Sequence, residues 1–79
     1  LSEIEALMDE MIYFQEHQLM RIARRLIPNV TPEDLLQPND YPELELNPHF
    51  RYEEGVLAGI LSVKAAYLAK MRALSQNKS

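Results

Sequence analysis

The sequence has no cysteine, no tryptophan, only two glycines, and no proline outside residues 28–48. Without cysteine there can be no disulfide, no thiolate zinc site and no thiol nucleophile. The glycines, Gly55 and Gly59, stand four apart inside a helical pattern, so there is no glycine-rich loop to cradle a phosphate. In a membrane span that spacing would suggest a dimer motif, but Glu53, Glu54 and Lys64 lie too close. No apolar run approaches the roughly 20 residues of a membrane span. Acids also stand where a membrane-surface helix would carry lysines, so no membrane partner is expected. No signal-peptide pattern is visible, and a cytoplasmic location is expected. The chain opens at Leu1 without methionine, so an N-terminal piece that could complete the fold is expected to be missing. Basic residues are in the minority: net charge is −4 and pI about 5.0. That balance argues against nucleic acid as a partner.

What is there is 79 residues and 9.2 kDa, one domain at most. Folds of this size bury a low fraction of their surface and lean on disulfides, a metal or a partner chain. Hydrophobic residues are 47% and charged residues 25%, as in an ordinary globular chain. The charges divide it into three. Residues 1–27 carry five acids and three bases, residues 28–47 five acids and no base, and residues 48–79 two acids and five bases.

Residues 2–27 read as a helix. Ser2 with Glu5 fits a capping box. Ile4, Leu7, Met8, Met11, Leu19, Ile22, Ala23 and Leu26 recur at helical spacing. Acids crowd the first turns and Arg21, Arg24 and Arg25 the last, which complements the helix dipole. The apolar stripe covers about half the circumference at 3.6 residues per turn, with Gln15 near its centre. A polar residue at a helix interface can fix register and oligomer state. Pro28 stops the helix.

Residues 48–75 read as a second helix, capped by Asn47 with Pro48 at the first helical position. Val56, Ile60, Val63, Tyr67 and Leu74 form one stripe, widened by Phe50, Leu57, Leu61 and Leu68. A second face is small: Ala58, Gly59, Ser62, Ala65, Ala66, Ala69 and Ala73. Plain helix propensity accounts for alanines. A close helix approach across them would account for Gly59 as well, since a mid-helix glycine usually has a packing reason. The polar tail from Ser75 is expected to fray.

The connector, residues 28–47, is too long for a bare turn. Thr31-Pro32-Glu33-Asp34 supplies an N-cap, a first-turn proline and two acids, so one short helical turn is expected over 32–37, ended by Pro38. Asn39 and Asp40 suit a turn. The connector reads as a cap over one end of a helical hairpin, with an acidic, proline-rich strip for a basic partner and a disordered linker as the other readings.

Chemistry-bearing constellations are few. His49 and Glu53, at i and i+4, could share a metal with Glu54. The Glu-x-x-His pairs of di-iron bundles are absent: Leu46 and Phe14 stand three before His49 and His17. His17, among Tyr13, Arg21 and Glu10, faces outward with no nucleophile opposed to it. Phe50, Arg51 and Tyr52 form the most distinctive run, aromatic and arginine residues being usual interface anchors.

The whole reads as one all-α domain, residues 1–79: an antiparallel hairpin of helices 2–27 and 48–75 that assembles into a four-helix bundle. One hairpin partner cannot cover both apolar faces of the second helix. The expected function is a small non-enzymatic interaction module, without cofactor, that homo-oligomerises, as a dimer first of all, or docks on another protein. Its surface would be Val56, Ile60, Val63, Tyr67 and Leu74 with Phe50, Arg51, Tyr52 and Gln15. The alternative is a metal- or small-molecule-binding bundle using His49, Glu53 and Glu54, and Gln15 with them.

Overall fold

A computed structural model describes residues 2–76; the Ser2 side chain, and with it the capping box expected there, lies outside the described residues, as does the tail beyond Gln76. The chain is helical throughout, with no strand among the described residues. Helix α1 is Ser2–Leu26 and helix α3 is Pro48–Gln76, with the short α2, Pro42–Glu45, between them. Both long helices agree with the expected ranges to within a residue. The helix continues through Ser75 and Gln76, where fraying was expected.

The connector holds more helix than the single turn the sequence suggested. Two 3-10 turns, Asp34–Leu36 and Pro38–Asp40, precede α2. The first turn does stop just before Pro38, as expected, but Pro38 also opens the second turn and Pro42 opens α2, because proline's fixed φ and missing N–H suit a first turn. The first turn is held by reciprocal bonds: the Thr31 N–H donates to Asp34 Oδ2 at 3.0 Å, and the Asp34 N–H to Thr31 Oγ1 at 3.3 Å. At α3 the Phe50 N–H donates to Asn47 Oδ1 at 2.8 Å, the cap the sequence called for.

The long helices pack on each other, and two clasps mark their alignment. Gln15 meets Glu53, and Asp9 meets Lys64, so numbers fall along α1 as they rise along α3. The fully closed core is confined to one end. Leu19, Ile22 and Ala23 of α1, Val30 and Leu44 of the connector, and Phe50 of α3 are the buried apolar residues among those described. Met20, Leu26, Ile27, Leu35, Tyr41 and Leu57 pack round them. The connector therefore folds back over the last turns of α1 and the first of α3.

The chain is a rod, 53 × 21 × 19 Å. Its radius of gyration is 15.8 Å, where a compact chain of this length has about 12 Å. Beyond the capped end the two helices run on with little covering them.

Candidate functional site: the open apolar face

Away from the connector, α1 and α3 flank a groove of about 480 Å³, lined by Ile4, Leu7, Met8 and Met11 from one helix and Val56, Gly59, Ile60 and Val63 from the other. Each set follows the same i, i+3, i+4, i+7 spacing, which places it on one helical face. The volume is that of a small-ligand site, but such sites carry a few convergent polar groups, and no polar side chain lines this one.

The groove is the middle of a larger face. On α1, Ile4, Leu7, Met11 and Phe14 recur at intervals of three, four and three, and all are exposed, Phe14 at 69%. At 3.6 residues per turn this stripe lies roughly a quarter-turn from the residues α1 buries, Gln15, Leu19, Ile22 and Ala23. On α3, Tyr52, Val56, Gly59 and Val63 recur at intervals of four, three and four, all exposed but the half-buried Val56. They stand about a quarter-turn from the side that meets α1. Tyr52 is 69% and Val63 59% exposed.

Among the expected interface residues, Val56, Ile60 and Val63 line the groove. Val56, Ile60 and Tyr67 are half-buried, while Val63, Leu74, Arg51 and Tyr52 are exposed. Arg51 pairs with Glu54 at 3.2 Å. Two residues require correction. Phe50 is wholly buried, in the core cluster to which the connector contributes Val30 and Leu44, so it anchors the chain's own core and has no surface to offer. Gln15 is turned inward rather than toward a partner. It is 9% exposed, and its Nε2 donates to the Glu53 backbone oxygen at 3.0 Å and to Glu53 Oε1 at 2.6 Å. That clasp sets the register of the two helices within one chain.

The small-residue face of α3 lies on its back. Ala58, Ser62, Ala65, Ala69 and Ala73 are exposed, and a Cβ at Gly55 or Gly59 would meet nothing within 4 Å. No close approach within the chain explains Gly59.

His49 and Glu53 do come together, His49 Nε2 lying 3.7 Å from Glu53 Oε2. Glu53 is already engaged by Gln15, and Glu54 turns to Arg51. No group of three or more His, Asp or Glu able to hold a metal occurs among the described residues. The exposed His17 stacks at a tilt on Tyr13, ring centroids 4.2 Å apart.

Charge frames the face. Lys64 is paired with Asp9 across the helices, which holds its ammonium above the usual lysine range. At the capped end the Thr31 backbone N–H holds the Asp34 carboxyl below its usual range. The hydrogen bond to Asp34 in turn pushes the Tyr41 hydroxyl up.

The α1 half of this face is what sequence reasoning missed. Its signal was the width of the α1 stripe, half the circumference, which is more than one neighbouring helix covers. No helix of the described residues is long and apolar enough to cross a membrane. No family model matches the chain, and no curated protein or solved structure does so.

Proposed function

We propose that the protein is a non-enzymatic helical interaction module, and that its open apolar face is where a second copy docks to complete a four-helix bundle from two hairpins. The observation that carries this is area. The chain exposes 5986 Å², about 1,000 Å² more than the roughly 4,900 Å² of an ordinary monomer of its mass. A standard protein interface covers about 800 Å² on each partner. The excess therefore matches one interface in size, and the exposed Ile4, Leu7, Met11, Phe14, Val63 and Leu74 lie where it would be covered. Burying each such side chain is worth about 1.5–3 kcal/mol.

Geometry supports the same reading. A helix of a square bundle meets two neighbours, so it needs two apolar directions about 90° apart. Both α1 and α3 have two, one occupied within the chain and one open.

The test is solution mass by light scattering over a dilution series, with helicity followed in parallel. The expected result is a mass of two chains that falls on dilution. Leu7→Glu and Val63→Glu should each hold the mass to one chain. A wild-type chain that stays well folded at the mass of one chain throughout would overturn the proposal.

A further inference from the structure

The proposed bundle can close in two ways that keep two-fold symmetry. With the axis along the bundle, each α1 lies beside the partner's α3, and both connectors share one end. With the axis across it, α1 lies on α1 and α3 on α3, and the connectors point apart. We infer that the second copy takes the first arrangement, α1 of each chain packing along α3 of the other with the connectors side by side. This rests on the self-association proposed above and adds its orientation.

Size is the first argument. The open stripe of α1 is large along its length, Leu7, Met11 and Phe14; that of α3, beyond Tyr52 and Val56, narrows to Gly59 and Val63, with Ala66 next in the same spacing. An axis along the bundle keeps the levels set within each chain, where Asp9 stands level with Lys64 and Gln15 with Glu53. Met11 and Phe14 then come level with Gly59 of the partner, and Leu7 with its Val63 and Ala66. Gly59 has open space above it in the single chain, and here a large side chain occupies that space.

Charge is the second argument. Residues 3–10 of α1 hold four acids, and residues 64–72 of α3 hold three bases and no acid. The Asp9–Lys64 pair already joins these two segments within the chain. The first arrangement repeats that juxtaposition between copies, with Glu3 level with Lys70. At the other end, Arg21 and Arg25 come level with the partner's acidic connector, which has no base. The crossed arrangement cannot match both properties. Centred on Leu7 and Met11 it matches apolar stripes but sets acid against acid. Slid along to set Glu3 against Arg25, it lays Ile4 and Leu7 on arginines and leaves Leu74 beyond the end of the partner's α3.

The absence of cysteine makes the orientation measurable. A nitroxide on Asn39→Cys, in the exposed connector, reports the distance between connectors by pulsed electron resonance; Ser75→Cys reports the other end of the rod. Each variant carries one label per chain, so every distance read is between copies. Distances well under half the 53 Å long axis at both sites are expected. A connector distance comparable with that axis, in a sample with the mass of two chains, would overturn the orientation and leave self-association standing. A sample with the mass of one chain and no coupling at either site would overturn both.

Discussion

Replacing Phe50 with alanine tests where folding ends and docking begins. The ring is wholly buried, in one core cluster with Leu19, Ile22, Ala23, Val30 and Leu44. Removing it strips apolar area from a core of six apolar residues and leaves a cavity that the connector can only partly close. Such truncations cost about 3–5 kcal/mol. A chain of this length has about 4–12 kcal/mol in total, so the loss is at least about a quarter of the stability and can exhaust it. The loss corresponds to a fall in Tm of about 15–30 °C. Tyr13 is the control, an aromatic on the outer face of α1 and 64% exposed; Tyr13→Ala should cost no more than about 0.5 kcal/mol. Urea titration followed by far-ultraviolet circular dichroism, at one fixed protein concentration, reads both. If Phe50→Ala stays within about 1 kcal/mol of the parent, Phe50 is not in the core and the backward fold of the connector is refuted. Equal losses from Phe50→Ala and Tyr13→Ala would refute it as well.

Three further outcomes follow from the same geometry. Gln15→Ala removes the donor to Glu53, whose side chain is only 17% exposed. A bond to a charged group is worth about 1.5–3 kcal/mol, the loss expected in the same titration; a cost near zero would mean that water replaces the clasp. The Asp34 carboxyl is held low by the Thr31 N–H, so its contribution is present above the ordinary carboxylate range, about pH 4, and is lost as pH falls through the lowered value. Asp34→Asn should therefore lower Tm at neutral pH and match the parent in acid. Lys64 runs the other way: its raised pKa means that its contribution holds below the ordinary lysine value and is lost as pH rises through the raised one. Finally, zinc should leave Tm unchanged in both the parent and His49→Ala; a rise that His49→Ala abolishes would revive the metal reading.

Proline placement and helical periodicity were enough to read the two long helices, because both act within a few residues of chain. Asn47 as a cap and the Thr31–Asp34 pair were legible for the same reason. The acid-to-base ordering of α1 and the all-acidic connector were plain in the sequence as well. The three turns of the connector were not. A proline reads equally as the end of one helix or the start of the next, and only the packing of Leu35, Tyr41 and Leu44 against α1 and α3 decides which. Nor could periodicity divide a broad apolar stripe. Ile4, Leu7, Met11 and Phe14 share the hydrophobicity of Leu19 and Ile22, yet one set is open and the other closed. What separates them is the connector, which covers one end of the rod and leaves the other bare. Gln15 and Phe50 changed roles for the same reason. Their residue types announced burial or binding alike, and the long-range partners, Glu53 at 38 residues' separation and Leu44 of the connector, settled on burial. The sequence by itself determined which segments are helical and that their apolar surface exceeds what one helix pair can hide. The tertiary structure decided which part of that surface remains open, because burial depends on neighbours far along the chain.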